Sequence, residues 1–215
     1  MKVGVIGAGY WGKKHVDEYT QLGHKVAVSD ISKENLEFCR LNFGAEIVED
    51  YNELLNDSEI KYISICVPNS LHHKISLEAL NKNKNILLEK PIALNSKDAT
   101  EIIKLADQKK LVLLIGHIFR FNQSIETIKQ ILKEKKLGKI FSVNFSWTNF
   151  ESVFPDRDIL FDLGVHPIDI LYNIFEQNPS DIFCVGKGFR QEKPEFAIIN
   201  YHIKDQNFYN DVFIN

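Results

Sequence analysis

The chain opens on a short apolar run, Lys2–Ile6, that passes directly into Gly7-Ala8-Gly9-Tyr10-Trp11-Gly12. A strand that turns through G-x-G-x-x-G into a helix leaves few folds open. Gly7 serves the tight turn, Gly9 lets the backbone come close to a pyrophosphate, and Gly12 allows the helix to pack closely on the strand. The helix start then offers unpaired N–H groups and a positive dipole end to phosphates. The bland alternative is a glycine-rich turn that meets no ligand.

The rest of the first half has the rhythm such a fold needs. Strands are expected at His24–Ser29, Ala45–Val48, Tyr62–Val67, Asn85–Leu88 and Leu111–Ile115, with helices at Trp11–Leu22, Lys33–Phe43, Leu71–Asn81 and Ser96–Lys110. Tyr62–Val67 is nearly apolar throughout, as a strand covered by helices on both faces should be. Alternating β and α with right-handed crossovers predicts an α/β Rossmann domain, a doubly wound parallel sheet, over residues 1–118.

After residue 118 the pattern changes. A helix is expected over Asn122–Lys136, stopping at Gly138, followed by a strand over Lys139–Phe150 with apolar side chains at alternate places. A second helix over Phe161–Phe175 precedes β-rich runs at Ile182–Phe189, Phe196–Ile203 and Phe208–Ile214. This predicts a second, β-rich α+β domain with two helices over residues 119–215, its tail strands antiparallel.

Composition narrows the function classes. The chain is 44% hydrophobic and 26% charged, as globular chains are. A net charge of -3 gives no electrostatic reason to expect nucleic acid or an anionic membrane. The lysines between Lys129 and Lys139 read as a solvated helix face. Cys39, Cys66 and Cys184 are scattered and odd in number, which fits a reducing compartment. No run approaches the roughly 20 apolar residues of a membrane span, and the N-terminus is too glycine-broken for a signal segment. The expectation is a soluble cytoplasmic protein.

Four further positions carry chemistry. Asp30 ends the second strand 18 residues past Gly12, where a carboxylate hydrogen-bonds the adenosine ribose and repels a 2′-phosphate. That favours NAD, with NADP still possible through Ser32 and Lys33. Asp30 or Ser32 could equally cap the helix at Lys33. Val67-Pro68-Asn69 leaves the fourth strand at the ligand edge of the sheet, and its backbone could line the cofactor. The adjacent His72 and His73 diverge on a helix with no carboxylate or cysteine at ligand spacing, so no metal is expected.

Glu89-Lys90-Pro91 follows the fifth strand. Pro91 biases Lys90 toward an extended conformation and fixes where its side chain points. Lys90 is a compact cation able to touch a substrate hydroxyl and a nicotinamide together; a surface ion pair is the alternative. In Asp162-Leu163-Gly164-Val165-His166-Pro167-Ile168-Asp169, the first aspartate and the histidine are four apart. On a helix they share a face, an arrangement suited to a general base. Pro167 allows this only with an irregular turn over Asp162–His166. An N-cap aspartate with a surface histidine, or a metal pair, are the other readings. Phe145, Trp147, Phe150 and Phe154 offer aromatic surface for a sugar ring or base, though such residues on a strand are more often core.

These elements in this order resemble the Gfo/Idh/MocA family of NAD(P)-dependent oxidoreductases. The resemblance rests on Gly7–Gly12 with His15, Val67-Pro68-Asn69 with His72, Glu89-Lys90-Pro91, and the Asp162–Asp169 segment. Gly116–Asn122 resembles the family's crossover between domains. It implies a cofactor site from Gly7, Gly9, Tyr10, Trp11, Gly12, Asp30, Val67, Pro68, Asn69, His72, Glu89 and Lys90. It also implies catalysis by Lys90 and His166 supported by Asp162, with Arg120, Trp147 and Asp169 lining a substrate site. Implied substrates are sugars, cyclitols and nucleotide-sugars, with a homo-oligomer through the second sheet. Family members commonly run well past 300 residues, so the second domain is expected to be cut short. A non-catalytic NAD-binding regulator and an NAD-dependent glycosidase-type relative are the competing functions.

Overall fold

The computed structural model describes residues 1–140, 142–148, 159–203 and, by backbone course, 208–214. Phe141, Phe150 and Phe154 lie outside the described residues. Two compact units divide at Gly116/His117.

The first unit runs β1 (Lys2–Ile6), α1 (Tyr10–Gln21), β2 (Lys25–Ser29), α2 (Lys33–Phe43), β3 (Glu46–Val48), α3 (Tyr51–Asn56), β4 (Ile60–Ile65), α4 (His72–Asn81), β5 (Asn85–Leu88), α5 (Ser96–Lys109) and β6 (Leu113–Ile115). Its six strands are parallel in the order β3-β2-β1-β4-β5-β6. The order reverses beside β1, where loops on the two sides diverge and leave a crevice at the carboxyl edge.

Alternation along each strand builds two cores, because successive side chains leave opposite faces. Val5 packs with Val16 of α1 and Leu36 and Cys39 of α2. Its neighbour Ile6 joins Leu54 and Leu55 of α3, Ile75 and Leu80 of α4, and Ile102 of α5. Each fully buried aliphatic of this kind contributes about 1.5–3 kcal/mol. Helices α2 and α5 begin where short polar side chains cap them: Ser32 Oγ accepts from the Asn35 amide at 3.2 Å, and Asn95 Oδ1 from the Asp98 amide at 2.9 Å.

Most boundaries fall within two residues of expectation, and two departures matter for the site. Helix α3 was not foreseen, since six residues capped by Asp50 are too short to show a period. Strand β4 covers Ile60–Ile65, two residues earlier than the apolar run suggests. Cys66 and Val67 follow the ladder, although the Cys66 amide still donates to Ile6 O at 2.8 Å.

The second unit holds α6 (Gln123–Lys133), β7 (Ser142–Trp147), α7 (Val165–Phe175), β8 (Asp181–Lys187), β9 (Phe196–Ile203) and β10 (Phe208–Ile214). Helix α6 stops three residues short of the expected end, with Lys135 already at φ 55° ahead of Gly138. The sheet order is β7-β10-β9-β8. Its β9 pairings are antiparallel and β10–β7 is parallel, so the sheet is mostly antiparallel. Leu171 of α7 and Ile199, Tyr201 and Ile203 of β9 form the core. A π-helical turn, Leu160–Gly164, feeds α7. Helical backbone runs unbroken from this turn into α7, so Pro167, the third residue of α7, removes an N–H from within a continuing helix.

Candidate active site

The first unit gathers its candidates at the carboxyl edge of the parallel sheet. Gly7 ends β1 at φ 90°, its amide donating to Ser29 O at 2.8 Å. A Cβ at Gly7 would lie 2.5 Å from the Cys66 carbonyl oxygen, and one at Gly12 would collide with the Gly7 carbonyl. Both glycines are demanded by the protein's own backbone. Gly9 differs, because a Cβ there would meet nothing within 4 Å. Nothing among the described residues requires that glycine, and the open space above it is what a pyrophosphate close to the backbone needs. Gly9 is also the N-cap of α1, with no capping side chain and no acid in the first turn. The N–H groups there are left for an anion.

Asp30 follows β2 and accepts from two amides: Ala8 at 2.5 Å on Oδ2 and Ser32 at 2.7 Å on Oδ1. Ser32, not Asp30, caps α2. The carboxylate thus bonds directly to the glycine loop, and each oxygen has a further lone pair for a ribose hydroxyl. Tyr10 is exposed beside Trp11, edge to face at 5.5 Å between ring centroids. Lys14 Nζ lies 4.7 Å from the Tyr10 ring centre. Pro68 is exposed, and Asn69 begins a 3₁₀ turn, Asn69–Leu71, closed by the Leu71 amide on Pro68 O at 2.8 Å.

Lys90 is half-buried just past β5, with a cis peptide to Pro91. Strands β1, β4 and β5 are neighbours, so the ends of β1 and β5 lie about 10 Å apart across the sheet. Glu89 is buried, and His15 Nε2 lies 3.0 Å from its Oε1. His15 Nδ1 is 3.2 Å from Ser64 Oγ, and the Tyr19 hydroxyl is 2.7 Å from that same oxygen. Burial pushes the Tyr19 phenol up; burial and then Glu89 push the Cys66 thiol up.

His15 and Glu89 of this network stand among the residues that carry the resemblance, whereas Ser64, a polar residue inside an apolar strand, and Tyr19 do not. His72, expected at the cofactor, is fully buried. Its ring nitrogens face Pro91 O at 2.7 Å and Val67 O at 3.0 Å. Its link to the cofactor loop runs through backbone carbonyls. His73 points the other way, with Nε2 2.9 Å from Glu101 Oε2. Helix α5 brings Asp98 and Glu101 into a cluster with His73 whose ligand atoms lie within 4.8 Å of one another. Local spacing had given no carboxylate there.

In the second unit, Arg120 belongs to a 3₁₀ turn, Ile118–Phe121. Its Nε lies 3.0 Å from both oxygens of Asp169, and its terminal nitrogen 2.6 Å from Oδ1. His117 Nδ1 is 3.7 Å from the same carboxylate. Asp169, expected with Arg120 to line a substrate site, is buried and bound to this guanidinium. His166, in the first turn of α7, is buried in an aromatic cage. It stacks on Trp147 with centroids 5.3 Å apart and planes 19° apart, and meets Phe119 edge-on at 5.1 Å. Trp147 thus packs on the candidate base. Asp162 sits half-buried in the π turn, the irregular segment that Pro167 called for. Such turns recur at functional sites.

A parallel sheet of this order, with an open glycine loop and a carboxylate bonded to it, defines a dinucleotide-binding Rossmann protein. Residues 1–117 match the Gfo/Idh/MocA oxidoreductase family with its NAD-binding Rossmann fold, and residues 125–207 match that family's C-terminal domain. The chain belongs to this family. It is 28% identical over 192 residues to glucose-6-phosphate 3-dehydrogenase of Bacillus subtilis, covering 82% of this chain and 54% of that protein. It is 26% identical over 204 residues to UDP-N-acetylglucosamine 3-dehydrogenase of Acidithiobacillus ferrooxidans, covering 92% and 61%. Among solved structures it resembles myo-inositol dehydrogenase from Lactobacillus casei in complex with NAD(H) and myo-inositol. The TM-score is 0.87 at 26% identity, over 99% of this chain and 66% of that one. The chain spans between about half and three fifths of the length of these two curated relatives. No helix among the described residues is long and apolar enough to cross a membrane.

Proposed function

We propose that the chain serves an NAD-dependent oxidoreductase acting on a secondary alcohol of a sugar, cyclitol or nucleotide-sugar. In this reading residues 1–118 carry the nucleotide and 119–215 the substrate side. The observation that carries it is Glu89-Lys90-Pro91 fixed at the sheet's ligand edge, about 10 Å from an open glycine loop. The relatives' dehydrogenase names support the reaction class and substrate type.

NAD, when bound, supplies the hydride acceptor. The α1 N-terminus holds its phosphates, and Asp30 takes the ribose hydroxyls and disfavours a 2′-phosphate. His166 accepts the substrate hydroxyl proton, with Asp162 orienting the ring. The aromatic wall of Trp147 and Phe119 keeps water from His166. Lys90, as an ammonium, steadies the negative charge that develops on the hydroxyl oxygen. A homo-oligomer through the second sheet belongs to the same reading, supported by Ile182, Phe183 and Val185, exposed on β8; sedimentation measures it.

The test is NADH formation across polyols, free sugars and nucleotide-sugars. Lys90→Met and His166→Ala should each lower turnover by about 10²–10⁴ with NAD binding retained. Turnover within a few-fold of wild type removes the assignment. NAD binding with no turnover on any substrate would favour a regulatory binder.

A further inference from the structure

The residues on either side of Lys90 are each tied down by a histidine, and the two histidines come from different helices. Before it, Glu89 meets His15 of α1 at 3.0 Å on Oε1, while Oε2 lies 3.3 Å from the Lys90 amide. A carboxylate only accepts, so His15 Nε2 carries the proton that faces it. With His15 neutral, Nδ1 accepts from Ser64, whose oxygen accepts in turn from Tyr19. Every proton then has a place, and the donors run one way from Tyr19 to Glu89.

After it, Pro91 offers its carbonyl to His72 of α4 at 2.7 Å, and the other ring nitrogen faces Val67 in the loop after β4 at 3.0 Å. His72 thereby sits between the segment that carries Lys90 and the segment expected to line the cofactor. Both of these oxygens only accept, so a neutral His72 ring donates its single N–H to one of them, the shorter contact to Pro91 O fitting Nδ1–H. The His72 side chain is fully buried and that of His15 is 15% exposed. Buried polar groups are costly unless satisfied, and a satisfied network rigidifies what it joins. A lysine stem is flexible. A directed ammonium therefore needs its backbone held to within about 0.5 Å.

We propose that His15 and His72 are positioning residues for Lys90, clamping the peptide on both sides of it while touching neither cofactor nor substrate. The proposal rests on the reading of Lys90 as the charge that steadies the substrate oxygen. Its consequence is that removing either histidine misplaces the Lys90 ammonium without emptying the nucleotide site.

Two readouts test it. Competitive isotopic acetylation in the cofactor-free chain follows the Lys90 amine and requires no turnover. Kinetics on whichever substrate is found gives kcat and KM for NAD. His15→Leu and His72→Leu should change the Lys90 acetylation rate at least about threefold, with exposed Lys74 and Lys97 unchanged. They should lower kcat about 10–100-fold and leave KM for NAD within about threefold, as a small misplacement of a reacting group does. His15→Gln and His72→Gln, which restore an N–H donor, should recover to within about fivefold. Where a leucine form does not fold, the asparagine form, polar but too short to reach, gives the same comparison. An unchanged Lys90 rate in the folded variants, or glutamine forms as impaired as leucine forms, overturns the proposal. If the wild type oxidises nothing while the Lys90 rates behave as stated, the oxidoreductase reading fails and the clamp stands.

Discussion

Arg120 grips Asp169 across 49 positions of sequence, with Nε 3.0 Å from both carboxylate oxygens and a terminal nitrogen 2.6 Å from one. The pair ties the 3₁₀ turn at the start of the second unit to α7, the helix that carries His166. The guanidinium keeps Asp169 compensated in its buried place, and that carboxylate in turn raises Arg120 above its ordinary value.

Breaking the pair should destabilise the second unit more than a surface ion pair would. Asp169→Ala leaves a partly exposed guanidinium to water, so the loss should be about 1–3 kcal/mol rather than the larger cost of an uncompensated buried charge. Arg120→Ala strands the buried carboxylate and should cost more. Urea unfolding of both variants ranks them, and an equal or reversed order would contradict the burial argument.

Gly9 and Gly12 should separate binding from folding. Alanine at Gly9 meets open space, so stability should stay within about 0.5 kcal/mol of wild type while NAD affinity falls at least about tenfold. Alanine at Gly12 drives into the Gly7 carbonyl and should cost about 1–3 kcal/mol. Calorimetric titration with NAD beside urea unfolding distinguishes the two.

Asp30 is a third case, because its carboxylate bonds the glycine loop and, in the proposed reading, takes the ribose hydroxyls. Asp30→Ala removes the acceptor for Ala8 and the repulsion of a 2′-phosphate together. Affinity for NAD should drop about tenfold, and the NAD-to-NADP preference should shrink or invert, a change worth about 1.4 kcal/mol for each factor of ten. Paired Kd measurements for NADH and NADPH supply the ratio.

His72 gives a pH dependence with a definite sign. Burial pushes its pKa below the ordinary 6.5, outweighing the carbonyls of Pro91 and Val67 and the charge of Glu89, all of which favour the protonated ring; Lys90 adds to the fall. As pH drops, the unfolded chain takes up this proton before the folded one does. The contribution to stability is therefore complete above about 6.5 and is lost as pH falls through the folded value. His72→Gln should flatten the fall in urea midpoint between about pH 7.5 and 5.5. A slope identical to wild type would assign the fall to other groups.

What could be read early was local. The glycine loop, the first-strand boundaries and the position of Lys90 follow from turn chemistry and strand period acting within a few residues. The short helix α3 and the slipped start of β4 were missed because six residues, or an apolar run that outlasts its ladder, give periodicity nothing to resolve. Likewise, Asp162, Pro167 and the need for an irregular turn were visible together, while the π geometry that satisfies them was not.

The sequence by itself determined the class of the first unit, the nucleotide loop and the identity of the charge placed at the edge of β5, because each is encoded in contiguous spacing. Only the tertiary structure decided what those groups lean on. His15 reaches Glu89 over 74 positions, His72 reaches Pro91 over 19, and Arg120 takes up Asp169. Such contacts depend on how helices settle against a sheet, and a linear pattern of apolar and polar residues carries the facing sides of each element but not which two polar side chains will meet.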